Sequence, residues 1–386
     1  MKVLHVIPSL SGLRGGPTFV VKTLASHQAR AGVEVHVAAT DDDGRARQSV
    51  PLGTPLSSDR VTYWYFGRST RTYTSSVGLT SWLFRHTAEF DLVHIHSVFS
   101  FPATVSAAIA RLKSVPYVVR PLGVLNRWGL GSGRAWAKRL SIRWIESGIL
   151  RRAAAVQFSS MKERAETAEV CALGKTAVIA NPVEFDPPVE RGLFRALYPS
   201  IGGRRIVLFL ARLDPVKGIE LLLDAFRIVR EANPQVVLAI AGSGDPGYQQ
   251  TLRARAERLG IAADVIWTGF LDRTAKAQAL ADADVFVVPS QSESFGLAAV
   301  EALAAGVPTV MTNGVGIADE VASNGAGIIV PANSRALASA IERILSEPEL
   351  AARLSHRGVS LVRSRYQSDA VAAQVMQLYA EIGGRA

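Results

Sequence analysis

The feature that most constrains this chain is a strand, a glycine-rich loop and a helix that follow one another in the same order twice. Near the N-terminus, KVLHVIP is an apolar run, a loop with Gly15 and Gly16 follows, and FVVKTLASHQARAG has helical spacing. In the second half, RRIVLFLARL, DPVKG and IELLLDAFRIVREANP repeat this order. Strands and helices that alternate at this pitch form right-handed βαβ units with parallel sheets. The sequence therefore predicts an α/β protein with two doubly wound sheets.

The boundary between the two halves is predicted at a proline-containing segment. A length of 386 residues favours more than one domain, and Pro182, Pro187 and Pro188 follow the last strand of the first half. We place a first domain at 1–183, a second at 184–365 and a helical C-terminal segment at 366–386.

Basic residues are concentrated in the first half. Residues 1–186 carry 23 Lys and Arg against 13 Asp and Glu, whereas residues 187–386 carry 20 of each. This asymmetry predicts that the first domain meets an anionic partner. A non-catalytic nucleic-acid-binding protein is the least favoured alternative, because the chain has no DNA- or RNA-reading motif. The polar, turn-rich segment 41–60 is predicted to be an exposed loop.

The helix predicted at 134–152 is the most basic element of the chain. It places Trp136, Leu140 and Trp144 at i, i+4 and i+8. Such a stripe either lies on an anionic lipid surface or is buried in the domain core. The single cysteine, Cys171, excludes an internal disulfide and fits a reducing compartment. With no apolar run near the ~20 residues of a membrane span, we expect a cytoplasmic protein that is at most peripheral to the inner face of the membrane.

A ligand site is predicted where the apolar run ADVFVVP leads into SQSESFGLAAVEALAA. Glu293 precedes the expected helix and Glu301 lies inside it. Unpaired N–H groups at a helix start can receive an anion, and two carboxylates can accept hydrogen bonds from sugar and ribose hydroxyls. The same two residues are also consistent with a helix-capping Glu and a solvated helix Glu.

These motifs resemble the retaining nucleotide-sugar glycosyltransferases of family 4. The resemblance is carried by ARLDPVKGIELLLDAF, IAGSGDPG, WTGF and ADVFVVPSQSESFGLAAVEALAAGVPTV. It spans nearly the whole chain, and the ordered set of Arg212, Lys217 and Glu293-x7-Glu301 makes it specific. It implies the GT-B fold, in which two Rossmann-like domains face each other across a cleft. The first domain would bind the acceptor and the second the nucleotide sugar, and the last helix would pack back on the first domain.

The resemblance also implies roles for individual residues. Arg212 and Lys217 would hold the donor diphosphate and Glu293 would face the transferred sugar; these three form the catalytic set. Glu301 would bind the ribose. The remaining donor-binding residues would be Gly15, Gly16, Gly242, Gly244, Phe270, Leu271, Phe295, Gly296 and Leu297. For Gly15 and Gly16 a plain tight turn is equally consistent, because the loop is neither GxGxxG nor Walker A.

Two cations beside a helix start can neutralise a diphosphate, so no metal and no other cofactor is expected. The chain departs from the family at VVRPLGV, where Leu122 replaces a common His before Gly123. The usual His contact to the sugar is therefore either missing or supplied by Arg120 or by His96, at the exposed end of the strand in DLVHIHSVF; either residue could contact the sugar or the acceptor.

The predicted activity is transfer of a sugar from a nucleotide sugar to a hydroxyl acceptor, with a lipid-linked sugar as the candidate acceptor, in cell-surface polysaccharide or glycolipid assembly. A nucleotide-sugar epimerase or hydrolase on the same fold is the alternative.

Overall fold

A computed structural model describes residues 1–12, 15–131, 135–184 and 189–383. The chain divides into two compact units, Met1–Pro182 with Ser368–Ala386, and Val183–Gln367. Pro182 ends the main segment of the first unit. Pro187 and Pro188, which mark the predicted boundary, lie outside the described residues.

The first unit is built on an eight-stranded sheet within these ranges. Its order is β10-β9-β8-β7-β1-β2-β6-β5, and every neighbouring pair is parallel except β5 with β6. The central strands are apolar or β-branched and buried on both faces, which is typical of a parallel sheet. The strands are Lys2–Ser9 (β1), Glu34–Thr40 (β2), Asp42–Asp43 (β3), Ala46–Arg47 (β4), Pro55–Ser58 (β5), Val61–Phe66 (β6), Leu92–His96 (β7), Tyr117–Arg120 (β8), Ala155–Phe158 (β9) and Thr176–Val178 (β10).

Helices connect these strands and cover both faces of the sheet. Several begin at a serine whose hydroxyl accepts a backbone N–H of the first turn, as Ser76, Ser100 and Ser160 do. The helices of this segment are Gly16–Arg30 (α1), Val77–His86 (α2), Phe101–Leu112 (α3), Arg127–Gly131 (α4), Ala135–Ser141 (α5), Ser147–Arg152 (α6) and Met161–Ala168 (α7).

The second unit has a fully parallel six-stranded sheet in the order β13-β12-β11-β14-β15-β16. The strand order reverses between β11 and β14, so the loops after these two strands open a crevice at the carboxyl edge of the sheet. The strands are Arg205–Leu210 (β11), Val236–Ala241 (β12), Val265–Gly269 (β13), Val285–Val288 (β14), Thr309–Thr312 (β15) and Ile328–Val330 (β16). The helices are Leu193–Leu197 (α8), Ile219–Ala232 (α9), Pro246–Arg258 (α10), Arg273–Asp282 (α11), Leu297–Ala304 (α12), Ala318–Ser323 (α13), Ser334–Ser346 (α14) and Pro348–Arg365 (α15).

The last helix, Ser368–Glu381 (α16), packs on α1 of the first unit. Val371, Val375 and Tyr379 are buried in the same core as Val21 and Leu24 of α1.

Both units thus have a doubly wound parallel sheet, which confirms the predicted α/β class. None of the helices in the described ranges combines the length and the apolar character needed to span a bilayer.

The prediction of an exposed loop at 41–60 holds for most of the segment and is wrong for its start. Asp41 and Asp42 are buried, and β3 and β4 form a short antiparallel hairpin. The guanidinium of Arg68, itself 6% exposed, forms an ion pair with Asp42 and donates to the carbonyls of Gly44 and Ala46. The polar composition of these residues predicted solvent exposure, whereas in the structure their polar groups bind the guanidinium of Arg68.

The basic segment after α4 is not one regular helix. It consists of α5, a π-helical segment at Ile142–Glu146 and α6, and Arg134 lies outside the described residues. Trp136, Leu140 and Trp144 are 72%, 52% and 70% exposed. The interpretation of this stripe as domain core is therefore wrong.

Candidate active site

The loop between β14 and α12 places the two predicted glutamates. Gly296 caps α12 with a φ of 99°, a left-handed conformation that favours glycine. Glu293 donates its backbone N–H to the carbonyl of Gly314 at 3.1 Å, which fixes the loop before the helix. The ring of Phe295 is buried and lies perpendicular to Tyr366, with 5.6 Å between ring centroids. Only the backbone of Phe295 can therefore face a ligand.

Lys217 and Glu293 form an ion pair, although the sequence analysis assigned them to different parts of the donor. Lys217 ends a short 3-10 turn whose start is capped by the Asp214 carboxylate. The backbone N–H of Gln291 donates to the carbonyl of Val216 at 2.9 Å and so joins this turn to the loop of Glu293. The loops after β11 and β14 thus bring a cation and a carboxylate together at the carboxyl edge of the sheet.

Glu301 forms a second pair of the same kind. The Nζ of Lys276, on α11, lies 2.6 Å from its Oε1. The interpretation of Glu301 as a solvated helix residue is therefore wrong. The sequence analysis missed Lys276, because a lysine on a polar helix is usually solvated and nothing in its local pattern points to a partner on another helix.

Arg212 follows β11 on the same loop as Lys217. Its side chain is largely exposed and lies 3.7 Å from the carboxylate of Asp214. The structure thus places both predicted diphosphate-binding cations on one loop, but only Lys217 contacts a predicted site carboxylate.

Gly242 and Gly244 have a packing reason to be glycine, and their place in the donor site stays a prediction. A Cβ on Gly242 would lie 1.9 Å from the carbonyl oxygen of Ala211, and one on Gly244 would lie 2.0 Å from that of Leu213. The close approach that excludes a side chain is therefore made by the loop after β11. After β13, Phe270 is exposed and Leu271 is half-buried.

Gly15 and Gly16 form the start of α1. Gly15 has a φ of 63° and donates to the carbonyl of Gly12 at 3.0 Å, and α1 has no side-chain cap. The same geometry serves a tight turn and an open helix start, so both interpretations stand. Leu13 and Arg14, in the same loop, lie outside the described residues.

The prediction that the end of β7 exposes a histidine is wrong. His94 and His96 are fully buried together with His5 on the neighbouring strand. The two ring nitrogens of His5 lie 2.8 Å from His96 Nε2 and 2.8 Å from Gln28 Oε1. Burial lowers the pKa of all three rings, that of His5 to about 4, so the cluster is neutral. His96 therefore has no surface with which to contact a sugar.

The three histidines also bring their ring nitrogens within 4.8 Å of one another, which the sequence analysis did not foresee. The rings of His94 and His96 stack with 4.1 Å between centroids. A metal has to lie in the plane of each ring that binds it, which stacked rings do not allow. Arg120 also acts on His94 and His96 as a nearby positive charge. The arrangement is that of a buried hydrogen-bonded cluster, not of a centre for a divalent cation.

Arg120 ends β8 and is also buried, at 2% exposure. The contact with the sugar or the acceptor stays a prediction for Arg120. Two adjacent strand ends of this unit carry backbone in the left-handed region without glycine. Phe99 after β7 has a φ of 55° and Leu122 after β8 has a φ of 60°. Such backbone is costly and concentrates at functional sites.

Two family models match the chain. Residues 193–360 match the family described as glycosyl transferases group 1, and residues 15–182 match the glycosyl transferase 4-like domain. Phosphatidyl-myo-inositol mannosyltransferase of Mycobacterium leprae is 38% identical over 212 residues, which cover 54% of this chain and 54% of that protein. D-inositol 3-phosphate glycosyltransferase of Jonesia denitrificans is 30% identical over 255 residues, 63% of this chain and 60% of that protein. The chain thus matches only about half to three fifths of the length of these relatives.

Solved structures share the fold over the whole chain. Sucrose-phosphate synthase from Thermosynechococcus elongatus has a TM-score of 0.80 at 24% identity and covers 99% of both chains. HepE from Anabaena, solved in complex with UDP and glucose, has a TM-score of 0.79 at 20% identity and covers 99% of this chain and 100% of its own. At these identities the likeness shows the fold alone.

Proposed function

The chain belongs to the group 1 glycosyl transferases, and we propose that it is a retaining glycosyltransferase that moves a sugar from a nucleoside-diphosphate sugar to a hydroxyl acceptor. Two lysine–carboxylate pairs carry this proposal. Lys217 pairs with Glu293, which precedes α12, and Lys276 pairs with Glu301, which lies inside α12. Cations, carboxylates and free helix N–H groups together suit a ligand that carries both phosphates and hydroxyls.

We assign the diphosphate to Lys217 and Arg212 and the ribose hydroxyls to Glu301. The bond from the anomeric carbon to the diphosphate oxygen would break, and a bond to the acceptor oxygen would form on the same face of the sugar. The leaving diphosphate would take the acceptor proton, so no side-chain base is required. Since two cations supply the charge that stabilises the leaving group, we also propose that the reaction needs no metal.

A thermal-stability screen with nucleotide sugars tests the donor site. UDP-glucose is the first probe, because HepE was solved with UDP and glucose. A donor at 100 times its dissociation constant should add about 2.7 kcal/mol to the free energy of unfolding. Lys217→Ala should lose this gain. Arg343→Ala, at an exposed arginine paired with Glu347, is the matched control and should keep it. Stabilisation by no nucleotide sugar would contradict the proposal.

A donor-only incubation separates transfer from the alternative. A hydrolase or epimerase releases or isomerises the sugar without an acceptor, whereas a transferase leaves most of the donor intact until an acceptor alcohol is added. Rapid, acceptor-independent consumption of the donor would favour the alternative activity.

We further propose that the first unit docks on an anionic membrane and takes a lipid-linked acceptor in cell-surface polysaccharide or glycolipid assembly. The exposed Trp136, Leu140 and Trp144 lie among basic residues, and the guanidinium of Arg143 lies 5.5 Å from the ring centre of Trp144. Residues 101–152 contain ten Lys and Arg and one acid, the buried Glu146. Exposed aromatic and basic side chains that lie together on one segment suit an anionic lipid interface, where each basic residue contributes about 1 kcal/mol. The mycobacterial relative is named for a phosphatidyl-inositol substrate, which agrees with this assignment.

Cosedimentation with vesicles tests the membrane proposal. Wild type should bind vesicles that contain phosphatidylglycerol at low salt and be released at high salt, and it should not bind pure phosphatidylcholine. Trp136→Ser/Trp144→Ser and Arg139→Glu/Arg143→Glu should each abolish binding. Lys138 is left unchanged, because it donates to the carbonyl of Gly129 and holds α5 to α4.

A matched control for the loss of apolar surface is Val77→Ser, at a residue that is 76% exposed elsewhere on the same unit. This variant should bind as wild type does. Wild type that stays in the supernatant at low salt, or stripe variants that bind as well as wild type, would contradict the membrane proposal and leave the transferase proposal standing.

A further inference from the structure

The side chain of Arg120 is a buried cation without a partner. It is 2% exposed, and its Nε has no hydrogen-bond partner. Among the residues that the structure describes, no carboxylate lies within the 4.0 Å of an ion pair with its guanidinium. Arginines in protein interiors are almost always paired, because an uncompensated buried charge is costly. Arg120 therefore lacks the anion that its position requires.

The guanidinium stays charged despite this burial. Burial lowers the pKa of Arg120 to about 10, which is still well above neutral pH. The nearest titratable rings do not neutralise it. Burial keeps His94 and His96 in their neutral forms, and it raises the pKa of Tyr379, so that phenol is neutral as well. At pH 7 the cluster thus carries an unbalanced positive charge.

Glu163 is the carboxylate whose charge acts on Arg120, but its oxygens serve other donors. Its Oε1 accepts the backbone N–H of Gly123 at 2.6 Å. Its Oε2 accepts the backbone N–H and the hydroxyl of Ser159 at 2.8 and 2.6 Å. Glu163 fixes the loop after β8 and offers Arg120 only a distant charge.

Arg68 shows how the same unit treats a buried arginine with a structural role. Its guanidinium has a carboxylate partner in Asp42 and donates to the carbonyls of Gly44 and Ala46. Arg68 and Arg120 are both buried, but of these two only Arg68 has a carboxylate partner. Arg120 also ends its strand next to Leu122, whose φ of 60° stores backbone strain of the kind found at functional sites.

We propose that Arg120 anchors an oxyanion subsite on the first unit, which takes a phosphate-type group of a substrate. A guanidinium presents a planar fork that matches the oxygens of a phosphate. The inference rests on the proposed function for the identity of that substrate, an acceptor that carries a phosphate. Arg120 would bind the substrate and would not be required for the stability of the fold.

Calorimetric unfolding of the full chain with inorganic phosphate tests the subsite. Wild type at about five times the phosphate dissociation constant should unfold roughly 2–4 °C higher than in sodium chloride of equal ionic strength. Arg120→Met should lose this shift, and without phosphate it should unfold at or above the wild-type temperature, since replacing an unpaired buried charge by an apolar side chain is neutral or stabilising. Arg120→Lys, which keeps the charge, should retain part of the shift.

Arg68→Met is the matched control. It should unfold well below wild type, because it removes the guanidinium that pairs with the buried Asp42 and donates to the carbonyls of Gly44 and Ala46. The inference is overturned if phosphate stabilises wild type no more than sodium chloride does, if Arg120→Met responds to phosphate as wild type does, or if Arg120→Met is destabilised as Arg68→Met is.

A parallel titration with UDP assigns the source of the oxyanion. If Arg120→Met keeps the full UDP-induced shift while it loses the phosphate shift, the subsite belongs to the acceptor. If it loses both shifts, the assignment of the subsite to an acceptor phosphate is overturned. A UDP shift that depends on Lys217 while phosphate has no effect would overturn the subsite and leave the proposed function intact.

Discussion

Removal of the Glu301 carboxylate should weaken nucleotide binding. The ion pair of Glu301 with Lys276 determines which carboxylate oxygen is left to bind the nucleotide. Oε1 of Glu301 is held by Lys276 at 2.6 Å, and the two side chains are only 15% and 21% exposed. This leaves Oε2 as the acceptor for a ribose hydroxyl in a partly desolvated site. Hydrogen bonds to a charged group contribute about 1.5–3 kcal/mol, so Glu301→Ala should raise the dissociation constant of UDP by about 10- to 150-fold.

Lys276→Met should have a smaller effect, because it removes the group that orients Glu301 and leaves the carboxylate in place. The two losses should not add. Residues in direct contact typically show coupling energies of about 0.5–3 kcal/mol, so the double variant should bind UDP only slightly less well than Glu301→Ala. Isothermal titration calorimetry with UDP measures all four corners of this cycle.

The second arm of the experiment uses 2′-deoxy-UDP. Wild type should lose about as much affinity for this ligand as Glu301→Ala loses for UDP, and Glu301→Ala should lose little more with the deoxy ligand. Fully additive losses from the variant and the deoxy ligand would refute the assignment of Glu301 to the ribose. An unchanged affinity of Lys276→Met would refute its positioning role.

Three further predictions concern charge. Lys217→Ala and Arg212→Ala should each lower turnover by at least ~100-fold with the fold intact, and near-wild-type rates in both would refute the diphosphate assignment. Turnover should survive excess EDTA; abolition by EDTA with rescue by Mg²⁺ would show that two cations do not suffice. The unfolding temperature should fall as pH drops from about 6.5 through 4, because the unfolded state protonates His5, whose folded pKa burial lowers to about 4. The loss is up to about 1.4 kcal/mol per pH unit for each such histidine, and His5→Gln should flatten the profile.

The strands and helices were predictable because their signal is local. Runs such as VVLAIA in β12 are apolar throughout and buried throughout. Several helices begin at a capping serine, aspartate or asparagine that the sequence shows, as at Ser100, Asp272 and Asn333. Asp41 and Asp42, at the start of segment 41–60, were mispredicted as exposed because their burial depends on Arg68, a residue outside the segment. Local polarity cannot distinguish a solvated aspartate from one that pairs with a distant arginine.

The site residues divide in the same way. The spacing between Glu293 and Glu301 predicted their places before and inside α12, since both lie on one short segment. Lys276 and the trio of histidines depend on which elements become neighbours. Gly242 shows an intermediate case, because its identity predicted a close approach, but only the packed loops show that the approaching atom is the carbonyl oxygen of Ala211.

Because Lys217 forms an ion pair with Glu293, a diphosphate that binds Lys217 has to replace one anionic partner of this lysine by another. The two side chains are 16% and 21% exposed, so the pair is partly desolvated, and an ion pair of this kind contributes up to about 1 kcal/mol. Glu293→Gln removes the competing charge and should tighten UDP binding by about 2- to 5-fold. The same variant should lower turnover by at least ~10-fold, because the carboxylate released from Lys217 would no longer face the transferred sugar. Binding by calorimetry and turnover by product release measure the two effects, and Glu293→Ala separates loss of charge from loss of shape. If the ion pair only stabilised the two loops, both variants would bind UDP more weakly than wild type. That result would refute the proposal that the diphosphate replaces Glu293 as the partner of Lys217.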